Sequence, residues 1–559
     1  MAQETQAPQL TPNPPAVSRR QFMQITAGAT LAALLAACAP PGVQPQTGSQ
    51  PAAAESKPAA AQSSSSGATL VWLSHQEIAG LGPNDLGATM QALMINAIHN
   101  SLVGWDTDNK MYNDLTESVD VQPDGLKYTF KLHKGVKFHD GSEFKAGDVK
   151  YTIDYYRDPK NATTIQTSYV GIDKVETPDD YTVVVNMATV NADSLVNWAA
   201  LPIVHAKHHK EVGDAKYSTS PIGTGPFKLK EWKASEYTLL EAFPDYFKAK
   251  PQVDFIRMEV VPEDAVRKTA LETGDADSSA WPLLVQDSLE LKKDTKFKVY
   301  GTPGDSIKHF PLNNERPFFA DKRCRQAMMY ALDRQRIIDD LWNGAAQVAH
   351  SNLTPVSPYY KADLKRYDFN PEKAKSLLDE AGWKVGADGI REKDSVKFSF
   401  TCTAKAGDQA RKAIAELAQQ LFKDVGIEMK ISEAPVAEIL QGMREGKLDC
   451  AIFNWNYGYV LTPDPSDTLK SDGGNNFAHF KNKEMDEMIS KGLQVVDPAK
   501  RKPYYDRIQE MFVEEVPVLY LQFDTWMLPF STKVEGGPDS TQNTYPLYSY
   551  LLPLKKQQG

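Results

Sequence analysis

The sequence lacks several features that define common classes of protein. Its 559 residues include four cysteines, Cys38, Cys324, Cys402 and Cys450, and none of them forms a C-x-x-C pair. This spacing argues against a disulfide framework. We predict that Cys324, Cys402 and Cys450 are small buried apolar side chains. The net charge is −10 and no long run of lysine and arginine occurs. That argues against general nucleic-acid binding, which needs clustered cations to displace counterions.

Sequence motifs for catalysis are also missing. H-E-x-x-H, G-x-S-x-G and the Walker phosphate-binding loop do not occur. Pro221–Phe227 (PIGTGPF) has two glycines but no following lysine and hydroxyl residue, so we predict a tight crossover between lobes rather than a phosphate loop. His205, His208 and His209 cluster beside two lysines. We predict an exposed helix end there, because no further zinc ligands can be placed.

These absences predict a protein with no catalytic residues, no metal site and no cofactor. Carboxylates are plentiful, yet no spacing singles out a pair. A glycosidase-type pair assembled only by folding leaves a secreted hydrolase as an alternative function. A structural or chaperone-like surface protein is a further alternative.

The sequence also lacks an apolar run long enough to span a membrane, and its N-terminal apolar stretch has the layout of an export signal. Residues 25–37 form a weakly apolar stretch of about 13 residues, whereas a membrane-spanning helix needs roughly 20. Arg19 and Arg20 precede it, as in a twin-arginine signal, and Leu35-Ala36-Ala37-Cys38 follows, as in a lipobox with a lipidated cysteine. The alternative is a buried Ala/Leu helix, which would need a polar Arg-Arg start and a Pro-Pro stop.

Residues 1–38 are therefore predicted to be a twin-arginine lipoprotein signal, and residues 39–68 a flexible tether. The tether consists mainly of Pro, Ala, Gln, Ser and Gly, and such a segment buries too little apolar surface to offset its ordering entropy. As a coil it would reach roughly 30 Å. We expect an extracytoplasmic, membrane-anchored protein, in the periplasm or on the cell surface, with a soluble body.

The body alternates between strand and helix patterns. Residues 119–139 indicate a hairpin, because Pro123-Asp124-Gly125 supplies a turn and apolar residues then alternate along the chain. Four later helices are predicted to begin at capping residues, and these are Asp321, Asp333, Asn370 and Asp408. The alternation of strands with helices predicts a twisted α/β sheet.

One short segment combines aromatic rings with amides. Phe453–Tyr459 (FNWNYGY) follows a predicted strand and precedes a Pro-rich loop. Rings with polar tips beside amides suit a ligand pocket, and ligands in open α/β sheets bind outside the carboxyl ends of strands. Asn454, Trp455, Tyr457 and Tyr459 are the predicted binding residues. The alternative is a core strand with an aromatic lid.

Several motifs together resemble the family of extracellular solute-binding proteins that serve peptide, nickel and related ABC importers. The resemblance covers nearly all of residues 69–530, in the family's order. It is carried by Asp124–Phe130 with Gly135–Gly141, by Pro221–Phe227, by Arg325–Ala327 with Ala331–Arg334, and by Asn370–Ala374.

The resemblance implies a type II periplasmic-binding-protein fold, with two large α/β lobes and a smaller inserted lobe around a hinged cleft. Lobe I would comprise residues 69–110, 221–312 and 523–559. The inserted lobe would comprise 111–220, and lobe III would comprise 313–522. The hinge strands would lie near Leu312-Asn313 and Gln522-Phe523. The closed monomer would then dock on a membrane permease driven by an ATPase.

The resemblance says less about the ligand. Peptide-binding relatives hold the ligand's amino group with an aspartate at the position of Gly458, and a charged amine buried without that carboxylate would be costly. Lys405 lies near the position of a basic residue that holds the ligand carboxylate in some dipeptide binders. His75, Gln76 and Trp281 are further candidates for contact. Peptides are the first expectation by family frequency, and oligosaccharides are the second.

Overall fold

The computed structural model describes residues 68–85, 89–106, 110–161, 163, 166–169, 171–456, 462–536 and 554–556. The predicted signal with Arg19, Arg20 and Cys38 lies outside the described residues, as does the predicted tether before residue 68. Tyr457, Gly458 and Tyr459 also lie outside them.

Strands occur along the whole described chain. The first twelve are β1 (Thr69–Ser74), β2 (Val103–Trp105), β3 (Met111–Asn113), β4 (Thr116–Val121), β5 (Lys127–Leu132), β6 (Ile172–Asp179), β7 (Thr182–Met187), β8 (Phe227–Lys233), β9 (Tyr237–Ala242), β10 (Phe255–Val260), β11 (Ser278–Ser279) and β12 (Phe297–Pro311). The others are β13 (Gln347–Val348), β14 (Lys384–Val385), β15 (Arg391–Lys393), β16 (Val396–Lys397), β17 (Ser399–Lys405), β18 (Glu428–Ala434), β19 (Cys450–Ala451), β20 (Phe453–Asn456), β21 (Val518–Ser531), β22 (Val534–Glu535) and β23 (Lys555–Lys556).

Helices are more frequent in the second half of the chain. They are α1 (Thr89–Ile98), α2 (Ala146–Arg157), α3 (Ser194–Ala199), α4 (Ala206–Val212), α5 (Asp214–Thr219), α6 (Asp264–Thr273), α7 (Val285–Leu291), α8 (Pro317–Ala320), α9 (Lys322–Ala331), α10 (Arg334–Trp342), α11 (Pro371–Glu380), α12 (Gln409–Lys423), α13 (Val436–Arg444), α14 (Ser466–Leu469), α15 (Lys483–Gly492) and α16 (Pro498–Glu515). Among the described residues, every helix is too short or too polar to cross a membrane.

Two long antiparallel strands, β12 and β21, run through the largest sheet. Its strand order is β20-β12-β21-β11-β1-β10-β9-β8, and β13 also pairs with β21. β1 pairs in parallel with both β10 and β11. The pairing of β12 with β21 shifts register between Pro303 and Ile307, so the ladder is irregular near its middle.

The two ends of β21 belong to different hydrophobic cores. One core takes Leu528 and Phe530 of β21, and otherwise consists mostly of residues before 281. The other core includes Ile307 and Phe523 and lies within residues 307–523. The two strands therefore run from one of these cores to the other, and we call the residues packed around each core a body. Buried apolar surface is the dominant stabilising contribution in each of them.

The predicted hairpin is confirmed. β4 and β5 pair antiparallel on either side of the predicted turn, and they belong to a second sheet of order β4-β5-β7-β6. Tyr128, Phe130 and Leu132 are buried in the first core. The alternation of their side chains places this face of β5 inward.

The four predicted helix starts are also confirmed. The side chains of Asp321, Asp333, Asn370 and Asp408 each accept a hydrogen bond from a backbone N–H in the first turn of α9, α10, α11 and α12. Such caps satisfy donors that have no partner within the helix. α12 connects β17 to β18 in a parallel sheet of order β18-β17-β19.

The prediction for the histidine cluster is wrong. His205 caps α4 and is 6% exposed, and its ring stacks on Phe138 with centroids 4.2 Å apart. His209 is buried, with Nε2 2.8 Å from a carboxylate oxygen of Asp214. Burial lowers the pKa of His209, although Asp214 opposes this shift. The lysines beside the cluster indicate only the outer face of α4, and the histidines lie on its inner face.

The prediction for the three later cysteines is confirmed. Cys324, Cys402 and Cys450 are fully buried free thiols, and burial raises the pKa of Cys324 to about 12. Cys402 and Cys450 face each other on β17 and β19, with sulfur atoms 3.4 Å apart. All three act as small apolar side chains in the core.

Candidate functional site

The first wall of the candidate site is an aromatic cluster beyond the ends of β1 and β11. Because these strands are parallel, their carboxyl ends meet at one edge of the sheet. His75 follows β1 and Trp281 follows β11, with ring centroids 4.3 Å apart. Trp526 of β21 packs edge-on against Trp281 at 5.0 Å. All three rings are partly exposed, so the cluster offers aromatic surface to a ligand.

The second wall is formed by β20, the predicted aromatic and amide segment. Asn454 and Trp455 pair with Lys308 and Ile307 of β12. The Trp455 ring lies 5.7 Å from Phe453 and 5.4 Å from Phe477, edge-on to the latter. Trp455 and Asn454 are partly exposed. Trp455 thus has one side packed against its own core and some surface left for a ligand.

A network of charged side chains surrounds Asn454. The ammonium of Lys308 lies 3.3 Å from an Asp524 oxygen and donates to Asn454 Oδ1 at 3.1 Å. Arg411 Nη2 donates to the same Oδ1 at 3.2 Å, and Arg411 Nη1 pairs with Asp408 at 2.8 Å. Asn454 Nδ2 donates to Asp524. Two cations and two carboxylates therefore balance around one amide.

The network links both long strands to the start of α12. Lys308 is 11% exposed and Asp524 is 25% exposed, so each charge needs its partner in place of the water it has lost. The carboxylate of Asp408 also caps α12, which fixes the helix end that carries Arg411. The amide orientation of Asn454 is thereby determined by its neighbours before any ligand arrives.

β21 brings the two walls together. Asp524 and Trp526 are two residues apart on a strand, so their side chains project from the same face, about 7 Å from one another. Asp524 joins the network at the second wall, whereas Trp526 joins the aromatic cluster at the first. Gly304 permits this arrangement, since a Cβ there would lie 3.1 Å from the Trp526 ring and from the Asp524 carbonyl oxygen.

Two more of the predicted binding residues, Lys405 and Gln76, are exposed at the surface. Lys405 ends β17 and is exposed, and its carbonyl accepts a hydrogen bond from the backbone of Asp408 at 3.1 Å. Gln76 is exposed beside His75, and its carbonyl accepts from Ser74 Oγ at 2.7 Å. Their predicted binding roles stay predictions, as do those of Tyr457, Gly458 and Tyr459.

Sequence reasoning missed Lys308, Arg411, Asp524 and Trp526. No short motif contains them, because folding brings them together from β12, α12 and β21. Two signals were available. Asp524 is the one charged residue in the mostly apolar strand β21 and comes two residues before Trp526, and Arg411 comes three residues after the predicted cap Asp408.

A separate surface cavity of about 760 Å³ lies in the second core's half of the molecule. It is lined by residues from 332–335, 346–350 and 355–369, and by none of the predicted binding residues. Burial lowers the pKa of His350, which lines it, to about 4. The cavity shares no residue with the two walls, although Gln347 in its lining pairs with Phe523 of β21, next to Asp524.

Comparison with known proteins identifies the family of the chain. The family described as "Bacterial extracellular solute-binding proteins, family 5 Middle" matches residues 110–477. The oligopeptide-binding protein AppA of Bacillus subtilis is 30% identical over 457 residues, covering 79% of this chain and 83% of AppA. The glutathione-binding protein GsiB of Pectobacterium atrosepticum is 27% identical over 493 residues, covering 84% and 92%.

Solved structures show the same fold. The structure of B. subtilis AppA in complex with a nonapeptide has a TM-score of 0.70 at 27% identity, covering 88% of this chain and 99% of that chain. NikZ from Campylobacter jejuni in complex with Ni(L-His) has a TM-score of 0.73 at 25% identity, covering 87% and 99%. The fold is that of the type II periplasmic binding proteins, as the sequence predicted.

The fold and the comparisons therefore define a class of protein, the extracytoplasmic solute-binding proteins that serve transporters. The chain belongs to family 5 of the bacterial extracellular solute-binding proteins.

Proposed function

We propose that this chain is the substrate-binding component of an ABC importer, which captures a peptide or similar small solute between the two walls and delivers it to a membrane permease. The observation that carries the proposal is the position of Asp524 and Trp526. One face of one connecting strand contributes to both walls. A solute favours the closed arrangement only through contacts that both sides make.

The lobes of this binding protein would follow the boundaries expected from sequence. Lobe I comprises 69–110, 221–312 and 523–559, the inserted lobe comprises 111–220, and lobe III comprises 313–522. The second core, within residues 307–523, supports this division. The irregular pairing of β12 opposite Phe523 supports a hinge on these two strands, because a broken ladder has fewer hydrogen bonds to resist bending.

The export and anchoring of the protein are a further part of the proposal. Arg19 and Arg20 would direct export, the lipidated Cys38 would hold the mature chain at the membrane, and residues 39–68 would tether a monomer close to its permease and ATPase. The family is extracytoplasmic, which supports this arrangement.

An oligosaccharide is the second candidate ligand. Trp281, Trp526 and Trp455 offer three partly exposed indole rings, and such rings stack on the apolar faces of sugars. The charged network is internally balanced, so it offers no unpaired cation or carboxylate to an ionic ligand. A neutral ligand would need no compensating charge.

Native mass spectrometry of the protein purified from its own cells tests the proposal, because a trapped solute names its own class. We expect one bound species in the mass range of a short peptide or oligosaccharide, recovered unchanged after hours of incubation. Titration calorimetry with a nonapeptide and with cellotriose then separates the two ligands. Conversion of the bound species into product would instead support a secreted hydrolase.

A further inference from the structure

A buried ion pair joins the part of the chain that follows β7 to helix α16. Asp193 Oδ1 lies 2.6 Å from Arg501 Nη1, and the two side chains are 12% and 2% exposed. Asp193 immediately precedes α3, whose Trp198 packs edge-on against Tyr128 and Phe130 of the four-stranded sheet. Arg501 lies in the first turns of α16, whose buried residues pack in the second core. The pair therefore connects the two packed bodies at a point other than the long strands.

The arginine has a prepared position within its own body. Its guanidinium carbon lies 5.0 Å from the Tyr505 ring centre and 5.5 Å from that of Tyr359. Arg501 Nη2 also donates to the Tyr505 hydroxyl at 3.0 Å. Stacking on aromatic rings suits guanidinium groups, which are weakly hydrated and planar. These contacts do not depend on the other body, whereas the Asp193 carboxylate and the Ala192 carbonyl come from across the boundary.

Backbone contacts continue the same boundary. Ala192 N donates to the Leu493 carbonyl at 3.1 Å, and Arg501 Nη1 approaches the Ala192 carbonyl at 3.4 Å. The tip of the β4–β5 hairpin packs beside them, since a Cβ on Gly125 would lie 2.5 Å from Val496 Cγ2. Gly125 has φ +70°, so the turn needs glycine for its conformation as well as for this close approach. The hairpin tip therefore lies directly against the Val496 side chain of the other body.

Separation of the two bodies would place both charges in water. Closing them again removes the charges from water, and this is tolerable only when each finds its partner. A variant that keeps one charge and deletes the other would leave an unpaired buried ion in the closed state alone. Its open state would be almost unaffected, because an exposed charge needs no partner.

We propose that the Asp193–Arg501 pair is a latch that sets the balance between the open and closed arrangements, and through it the affinity for the solute. This inference rests on the proposed function, in which the solute is held by closure. The apparent dissociation constant rises as the closed-competent fraction falls. Arg501 is accordingly a positioning residue that need not touch the solute.

The test compares Asp193→Ala, the milder Asp193→Asn and Arg501→Met with the wild-type full chain. Arg507→Met is the matched control. Arg507 lies on the same helix, but it pairs with Glu484 of α15 at 2.8 Å within one body. Small-angle X-ray scattering of the ligand-free proteins measures the radius of gyration. Titration with a nonapeptide and with cellotriose measures affinity, and urea unfolding of the second core shows whether that core stays intact.

We expect the three latch variants to increase the radius of gyration and to weaken the affinity about tenfold or more, while the control matches wild type. The double variant Asp193→Ala/Arg501→Met should lose less binding free energy than the sum of the losses in the two single variants, because it leaves no unpaired charge.

An unchanged radius and affinity in all folded latch variants would overturn the latch and leave the proposed function standing. An increased radius in a protein that binds no solute at all would instead support the latch and contradict the proposed function.

Discussion

Replacing Asp524 with alanine is the sharpest test of the charged network around Asn454. The substitution leaves the Lys308 ammonium, 11% exposed, without the carboxylate that lies 3.3 Å away. Breaking a fully buried pair typically costs 3–5 kcal/mol. In the Asp524→Ala variant, water partly takes the place of the lost carboxylate beside Lys308, because Asp524 is 25% exposed. We therefore expect the free energy of unfolding to fall by about 2–3 kcal/mol.

Urea unfolding measures this loss, and Glu315→Ala serves as its control. Glu315 pairs with Lys481 at 2.7 Å, but the two side chains are 53% and 66% exposed, so that pair is worth less than about 1 kcal/mol. The double variant Lys308→Met/Asp524→Ala should regain part of the loss, because no ammonium is left unpaired. If Asp524→Ala costs no more than Glu315→Ala, the network does not stabilise the strands as we argue.

Three further predictions concern the wall, a close backbone contact and pH. Trp281→Ala should weaken solute affinity by about 2 kcal/mol in calorimetry, whereas Trp232→Ala on the edge strand β8 should not change it. If Trp281→Ala binds the solute as tightly as the wild type, Trp281 is not part of the site. Gly225→Ala should lower the melting temperature, because the new Cβ would lie 2.4 Å from a backbone carbon. Gly147→Ala in α2 is the control and should not lower it, because its Cβ would meet nothing within 4 Å. Burial lowers the pKa of His99 from 6.5 to about 3, so on acidification the unfolded chain takes up a proton before the folded chain does. The free energy of unfolding should therefore fall by about 1.4 kcal/mol per pH unit from pH 6.5 towards pH 3. Urea unfolding of a His99→Gln variant should show a shallower dependence of this free energy on pH.

Much of the fold could be predicted because its signals are local. The β4–β5 hairpin depends on one turn and one alternating strand, and the starts of α9 to α12 depend on single capping residues. The histidine cluster failed for the same reason. Its lysine neighbours describe the outer face of α4, but the Asp214 and Phe138 side chains that bury His209 and His205 come from other elements.

The site was only partly predictable, since most of it is assembled over long sequence separations. Trp281 and His75 were predicted from the family resemblance, because Trp281 follows a Gly-Asp-x-Asp loop and His75 follows the first strand, and the fold places their rings 4.3 Å apart. Asp524 and Asn454 are 70 residues apart, and the inward direction of Lys308 depends on how β12 pairs with β20. Neither the composition nor the periodicity of the sequence specifies that pairing, so the charged network appears only in the folded chain.

Hydrogen–deuterium exchange with and without the co-purified solute tests the central claim most directly. The account predicts that the solute slows exchange at both walls together, in peptides covering 73–76 and 279–281 and in peptides covering 453–456, while the solute is recovered chemically intact. Slowed exchange at one wall alone, or in the cavity lined by 332–335 and 346–350 in place of the walls, would contradict capture between the two bodies.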